Sequence, residues 1–175
     1  MTTGHVYIAT SLDGFIARPD GSIDWLTPFG EGEDDLGYAD FMADKQAIFM
    51  GRGTYETVLT FGAWPYTLPV LVLSRSLTSL PDTLEGMAEV ADLSPLAAMR
   101  MCTARGWDRV YVDGGALVQS FLRAGLIADM IVTRVPVLLG QGRPLFGPLK
   151  KDIVLTHEET RSLPRGLVQS RYSIA

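Results

Sequence analysis

Apolar positions along this chain fall into short runs that alternate with longer segments of helical spacing. Runs rich in Val, Ile, Leu and aromatic side chains predict strands. In the first two thirds of the chain these runs cover residues 5–10, 47–50, 70–73, 87–90 and 109–112. The run at 70–73 is apolar throughout, which is typical of a strand buried on both faces of a parallel sheet.

Helices are predicted between these strands. Ser94 followed by Pro95 is typical of a helix start, and Gly125 stands where a helix end favours a left-handed residue. The predicted helices cover residues 35–43, from the glycine junction after residue 50 to about 60, 95–105 and 116–124. Residues 17–34 are predicted to form a long ordered loop, because they are rich in Gly, Pro and acidic side chains.

The last third of the chain is rich in predicted strands. Its apolar runs cover residues 130–137, 153–156 and 167–174. Strands that alternate with helices and then give way to such a tail predict an α/β fold. We expect a mostly parallel sheet with an antiparallel C-terminal edge and helices on both faces.

Two glycine-centred segments about sixty residues apart suggest where this fold binds a ligand. Met50-Gly51-Arg52-Gly53-Thr54 and Val112-Asp113-Gly114-Gly115-Ala116 each follow a predicted strand and precede a predicted helix. At such a junction the helix N-terminus can bind a phosphate, and glycine lets the phosphate approach closely. Two junctions favour a ligand with several phosphates, such as a dinucleotide. The alternative is that these glycines only make the tight turns found in any α/β protein.

Composition limits the classes of function. With 175 residues, 47% of them hydrophobic, the chain is expected to form one domain over residues 1–175. A net charge of −5 and a pI near 4.9 argue against nucleic acid or an anionic membrane as partner, because both require a basic surface. Cys102 is the single cysteine and is predicted to lie in the core; His5 and His157 lack the neighbouring ligands that a metal site needs. The chain shows no basic and apolar leader and no apolar run of about 18 residues, so a cytoplasmic protein is expected.

Five short motifs resemble those of the dihydrofolate reductase-like superfamily and occur in the same order. They are Ser11-Leu12-Asp13-Gly14, Met50-Gly51-Arg52-x-Thr54-Tyr55-Glu56, Val72-Leu73-Ser74-Arg75, Val112-Asp113-Gly114-Gly115 and Pro136-Val137-Leu138-Leu139-Gly140-x-Gly142-x-Pro144-Leu145-Phe146. The sequence is most similar to the branch that contains the reductase domain of the bifunctional riboflavin-biosynthesis deaminase-reductase. This resemblance implies a three-layer αβα fold with an eight-stranded, mostly parallel sheet, and a reductase that uses NADPH.

The same resemblance implies which residues contact the cofactor. Gly51, Arg52 and Thr54 would lie on its adenosine side, with Thr54 at the pyrophosphate, and Ser74 and Arg75 would lie near the 2′-phosphate. Gly114, Gly115 and Ala116 would meet the pyrophosphate, while Ala9, Asp13 and Gly14 would border the nicotinamide. Two arginines and a hydroxyl at neighbouring strand ends would form a local anion site in an acidic protein. A solvated loop arginine is the alternative for Arg75.

A reductase of this kind also needs a proton source, because hydride addition to a C=N or C=O bond leaves a basic atom. Asp35 is the first candidate, since it lies 17 residues ahead of Arg52, a spacing similar to that between the pteridine-binding acid and the matching arginine of dihydrofolate reductases. A helix N-cap is the alternative role of Asp35, and the insert before it also carries Glu31, Glu33 and Asp34. Asp113 is the second candidate, because the carboxyl end of a central strand faces the ligand crevice of an α/β sheet. Its alternative role is a hydrogen bond that fixes the glycine turn.

Three aromatic residues are candidates for binding a small substrate. Trp25 resembles the tryptophan that precedes the substrate-binding acid of the superfamily. Tyr38 and Phe41 lie three positions apart on one predicted helix and suit stacking on a flat heterocycle, although core packing suits Phe41 equally well.

The expected substrate is pteridine-like first and pyrimidine-like second. Reduction of the riboflavin precursor is less favoured, because the chain has no added basic cluster for a ribose phosphate. A non-catalytic NADP(H)-binding protein is the alternative function. The apolar segment 130–137 and the β-rich tail suit either a homodimer interface or a buried sheet edge.

Overall fold

The structure is built on a sheet whose central strands are buried on both faces. The computed structural model describes residues 1–30 and 35–175, and all bounds below refer to these residues. The strands are Thr3–Ser11 (β1), Phe15–Ala17 (β2), Ala47–Gly51 (β3), Val70–Leu73 (β4), Ala88–Ala91 (β5), Arg109–Asp113 (β6), Ile127–Val135 (β7), Arg143–Pro144 (β8), Leu155–Ser162 (β9) and Val168–Ile174 (β10). The helices are Thr27–Gly30 (α1), Tyr38–Met42 (α2), Arg52–Leu59 (α3), Pro95–Ala104 (α4) and Gly115–Arg123 (α5).

Eight of these strands form the main sheet, in the order β5-β4-β3-β6-β1-β7-β10-β9. Neighbours from β5 to β7 are parallel, whereas β10 is antiparallel to both β7 and β9. The strands β2 and β8 form a separate antiparallel ribbon in which Ala17 pairs with Arg143. The predicted α/β fold, with a mostly parallel sheet and an antiparallel C-terminal edge, is confirmed.

Alternate side chains of the central strands enter the two cores on opposite faces of the sheet. On β3, Phe49 packs in the cluster that contains α4 and α5, and its ring centroid lies 5.7 Å from that of Phe121. Ile48 and Met50 enter the other cluster, which contains residues of α2 and α3. Burial of each such side chain contributes about 1.5–3 kcal/mol, so these layers fix the ends of the strands where the site forms.

Cys102 lies in the first cluster and is fully buried, as predicted. Burial raises the pKa of its thiol to about 11, so this thiol is inert at neutral pH. No helix within the described ranges is both long and apolar enough to cross a lipid bilayer.

The predicted long ordered loop over residues 17–34 is described only as far as residue 30, and residues 31–34 lie outside the described residues. It contains the short helix α1, and α2 begins at Tyr38 and not at Asp35. The later start has a backbone cause, because Leu36 and Gly37 adopt left-handed φ angles of 58° and 86°.

At the C-terminal edge, β9 begins two residues later and extends further than predicted. All eight of its residues are exposed, so it lacks the apolar alternation that identifies a half-buried strand.

Candidate active site

The carboxyl ends of the parallel strands converge on one deep cleft, with a cavity volume of about 1120 Å³. Its lining includes Ala9 of β1, Thr133 of β7 and Leu73 of β4, together with the junctions that follow β3 and β6. Ile16, Ala17, Arg143 and Pro144 add the β2–β8 ribbon to the lining. This is the position at which open α/β sheets bind ligands.

The two predicted glycine junctions meet inside this cleft. Helix α3 is capped by Gly51 and α5 by Gly114, so neither cap residue has a side chain that could accept from the first-turn N–H groups. A Cβ atom on Gly114, whose φ is +93°, would collide with the Thr54 hydroxyl, so the two helix starts touch. Their N–H groups and positive dipole ends therefore form one site suited to a phosphate.

Gly115 has a second structural reason to be glycine. A Cβ atom there would lie 2.7 Å from the Pro144 carbonyl oxygen and 2.9 Å from Ile16 Cδ1. The β2–β8 ribbon therefore packs directly against the start of α5. Close packing therefore accounts for Gly114 and Gly115, whereas a Cβ atom on Gly51 would meet no atom within 4 Å and leaves the start of α3 open to a ligand.

Arg52 links the first junction to the turn after β4. Its Nε donates to Glu56 Oε1 at 2.6 Å and its Nη1 donates to Ser76 Oγ at 3.1 Å. Ser74 Oγ accepts from the backbone N–H groups of Ser76 and Leu77, which fixes this turn. Arg52 lines the cleft, whereas Ser74 and the exposed Arg75 lie outside its lining.

Asp13 and Gly14 form a turn that also lies outside the lining of the cleft. The Asp13 carboxylate accepts from Ser11 Oγ at 2.6 Å and from the N–H groups of Gly140 and Leu139 at 2.7 and 3.1 Å. The Ser11 hydrogen bond is the main cause of its lowered pKa. These bonds hold the end of β1 to the loop before β8.

Asp113 lies at the end of β6 on the cleft lining and is partly buried. Burial raises the pKa of its carboxyl to about 6, although the neighbouring Tyr111 hydroxyl and Gly114 N–H act on this pKa in the opposite direction. Asp113 therefore exchanges its proton close to neutral pH.

Tyrosine hydroxyls surround this carboxyl. Tyr7, Tyr38, Tyr66 and Tyr111 all line the cleft. Burial, followed by the charge of Asp113, raises the pKa of Tyr38 to about 12, and the same causes raise the pKa of Tyr66 and Tyr111. At neutral pH these three hydroxyls are protonated. The Tyr111 hydroxyl donates to the Tyr7 carbonyl oxygen at 2.8 Å, whereas those of Tyr38 and Tyr66 can donate to a ligand.

Asp35 lines the cleft but is exposed, and backbone hydrogen bonds occupy its carboxylate. Its two oxygens accept from Gly37 N at 2.9 Å and Ala39 N at 2.8 Å, and these bonds lower its pKa. This geometry matches the capping alternative. The neighbouring Glu31, Glu33 and Asp34 lie outside the described residues.

Among the predicted aromatic contacts, Tyr38 lines the cleft and packs edge-on against Tyr7, with a centroid distance of 5.4 Å. Phe41 is buried against Tyr7 and Tyr111 at centroid distances of 5.3 and 5.2 Å. Trp25 is buried with Val135 and Leu167. Trp25 and Phe41 thus support the walls without lining the cleft, and their contact with a substrate stays a prediction.

Sequence reasoning missed Tyr66, Tyr111 and Arg143 as parts of the site. Tyr111 could have been predicted, because residues two apart on a strand share a face and Asp113 was already a candidate. Nothing in the local sequence distinguishes Arg143, which lies ninety residues after Gly53. Within residues 1–30 and 35–175, no group of three His, Cys, Asp or Glu side chains is placed to hold a metal ion.

Fold and cleft together define the class of this protein. The RibD C-terminal domain family matches residues 3–169, and the chain belongs to this family. The predicted resemblance to the riboflavin-biosynthesis reductase branch of the dihydrofolate reductase-like superfamily is thereby confirmed.

Three relatives show the range of this similarity. The uncharacterised protein YwjB of Bacillus subtilis strain 168 is 37% identical over 170 residues, which is 95% of each chain. A crystal structure of a protein from Shewanella sp. PV-4, provisionally assigned to riboflavin biosynthesis, has a TM-score of 0.93 at 35% identity and 99% coverage of both chains. The riboflavin biosynthesis protein RibD of Corynebacterium ammoniagenes is 29% identical over 162 residues, which is 81% of this chain and 47% of RibD.

Proposed function

We propose that this protein is an NADPH-dependent reductase that transfers a hydride to a small pteridine-like or pyrimidine-like heterocycle. Its family and its structural neighbours support a reductase role. One observation carries the finer proposal: a single cleft unites two glycine-capped helix starts with Asp113, a carboxyl that holds its proton up to about pH 6.

The residues present fit the phosphates of a dinucleotide. The touching starts of α3 and α5 offer backbone N–H donors to a pyrophosphate, and Gly51, with no atom within 4 Å of a Cβ position, leaves room for its approach. Arg52 and the turn at Ser74–Ser76 would hold the 2′-phosphate that distinguishes NADPH from NADH. Bound NADPH would supply the hydride.

The chain itself would bind the heterocycle and move the proton. The rings of Tyr7, Tyr38, Tyr66 and Tyr111 suit a flat aromatic substrate, and the neutral hydroxyls of Tyr38 and Tyr66 suit its polar edge. Asp113 would donate a proton to the atom made basic by hydride addition. Because the protonated carboxyl is the active form, turnover limited by this step should fall as pH rises through about 6.

Two features of the surroundings extend the proposal. A homodimer is supported by β9, an eight-residue edge strand that is exposed along its whole length and has an unpaired edge. A cytoplasmic location is supported by Cys102, whose buried free thiol is typical of a reducing compartment.

The direct test is NADPH oxidation by the purified protein with a panel of pterins, dihydrofolate and aminopyrimidines, with and without a ribityl or ribosyl group. We expect turnover with at least one compound and loss of turnover in Asp113→Asn. The alternative function, a non-catalytic NADP(H)-binding protein, would appear as tight NADPH binding without oxidation by any member of the panel.

A further inference from the structure

Arg143 crosses from the β2–β8 ribbon to the start of α3. A Cβ atom added to Gly53, in the first turn of α3, would lie 3.1 Å from Arg143 Nη1. A Cβ atom added to Gly21, in the loop after β2, would lie 3.1 Å from the guanidinium carbon and from both terminal nitrogens. The guanidinium is therefore placed between that loop and α3, on the lining of the cleft.

The charge of Arg143 has no partner among the described residues. No hydrogen bond or ion pair of its side chain is present there, whereas Arg52 is paired with Glu56 and Arg18 with Asp24. The acidic residues of the described cleft lining are Asp35 and Asp113. Asp35 already accepts two backbone hydrogen bonds, and burial raises the pKa of Asp113 to about 6, which disfavours its charged form.

Three positive features therefore converge, and the exposed Arg143 guanidinium has no counter-charge among the described residues. Pro144, the residue after Arg143, packs against Gly115 at the start of α5, and the Arg143 guanidinium lies over the start of α3. A planar guanidinium presents two parallel donors that match neighbouring phosphate oxygens. A diphosphate carries enough charge to satisfy both helix starts and the arginine together.

We infer that Arg143 is a binding residue for the pyrophosphate of the dinucleotide, and that it holds the β2–β8 ribbon over that group. This inference rests on the proposed function. It assigns the pyrophosphate to Arg143 and leaves Arg52 and Arg75 with the 2′-phosphate. The phosphate of a phosphorylated substrate has the same chemistry, so the test separates the two sources.

The test compares Arg143→Ala and Arg143→Lys with the wild type, and with Arg100→Ala as control, because Arg100 is an exposed arginine of α4 outside the cleft. Dissociation constants for NADPH and NADH are measured by calorimetry, and stabilisation by inorganic pyrophosphate is measured by thermal unfolding. We expect Arg143→Ala to weaken both dinucleotides by the same factor, about tenfold or more, and to abolish the pyrophosphate effect. Arg143→Lys should recover part of the loss, and Arg100→Ala should match the wild type.

Several results would overturn the inference. If Arg143→Ala is less stable but binds both dinucleotides with unchanged affinity, Arg143 has only a structural role. If only the affinity for NADPH falls, Arg143 binds the 2′-phosphate instead. A loss of affinity confined to a phosphorylated substrate would assign Arg143 to that substrate.

Other results separate the inference from the proposed function. If the wild type binds no dinucleotide, the proposed function fails, and the measurement with inorganic pyrophosphate alone then decides whether Arg143 binds diphosphate. If dinucleotides bind through Arg143 without turnover, the reductase proposal fails and the inference stands.

Discussion

Replacing Asp113 with Asn should make the protein more stable at neutral pH and less active. The pKa of Asp113 rises from 3.8 to about 6, mainly through burial, so the folded state disfavours the ionised carboxyl. A shift of about 2 pKa units at 1.36 kcal/mol per unit gives a ceiling of about 3 kcal/mol for this destabilisation. The Tyr111 hydroxyl and the Gly114 N–H, which favour the carboxylate, would interact less strongly with the neutral Asn side chain and would reduce the gain below that ceiling.

The sign of the pH dependence follows from the direction of the shift. Between about pH 4 and about pH 6 the folded state binds more protons at Asp113 than the unfolded state, so the stability of the wild type should fall as pH rises through this interval. Asp113→Asn lacks this contribution. The stability difference between variant and wild type should therefore grow from about pH 4 to about pH 6 and stay level above it.

The assay is chemical denaturation of the wild type, Asp113→Asn and Asp92→Asn at a series of pH values. Asp92 is an exposed carboxylate outside the cleft and serves as the matched control. Turnover of Asp113→Asn should fall by about 10² to 10⁴, the usual contribution of a general acid. A variant that is less stable than the wild type above pH 6, or a difference that does not change with pH, would refute the reasoning from burial.

Three further predictions concern the predicted site residues. Arg75→Ala should reduce the preference for NADPH over NADH by about tenfold or more while the affinity for NADH stays constant, as measured by calorimetry; a wild type without any preference would contradict it. Asp35→Asn should lower the thermal midpoint, because the amide keeps only one of the two oxygens that accept from the Gly37 and Ala39 N–H groups, yet it should keep the pH profile of turnover; a variant that loses this profile would make Asp35 the acid. Gly114→Ala should lower the free energy of unfolding by roughly 1–3 kcal/mol, through backbone strain at φ +93° and collision with Thr54. Gly106→Ala is the control, because Gly106 has φ +74° in open space and should show the strain alone. Equal losses of unfolding free energy in the two variants, measured with denaturant, would contradict the collision.

The central strands and helices could be predicted because their patterns are local. The apolar run Val70–Leu73 coincides with β4, and Ser94 accepts the hydrogen bond from Ala97 N that its position before Pro95 predicted. The two-residue strand β8 and the three-residue strand β2 are too short to produce a period, so they were missed. The polar sequence of β9 was misplaced because that strand is exposed on both faces.

The site could be predicted only where its residues follow one another along the chain. Gly51–Thr54 and Asp113–Ala116 were identified as strand-to-helix junctions, and both line the cleft. The choice between Asp35 and Asp113 depends on burial and on bonds to the backbone, neither of which a short segment of sequence reveals. Arg143 reaches Gly53 only because the β2–β8 ribbon folds over the sheet.

The most direct test of the account is hydride transfer itself. NADPH carrying deuterium at the transferable position of the nicotinamide would be incubated with the protein and the heterocycle panel, and the products would be analysed by mass spectrometry. We expect deuterium in one reduced pterin or pyrimidine, and far less deuterium transfer by Asp113→Asn. Binding of NADPH without deuterium in any product would contradict it and would favour a protein that binds NADP(H) without catalysis.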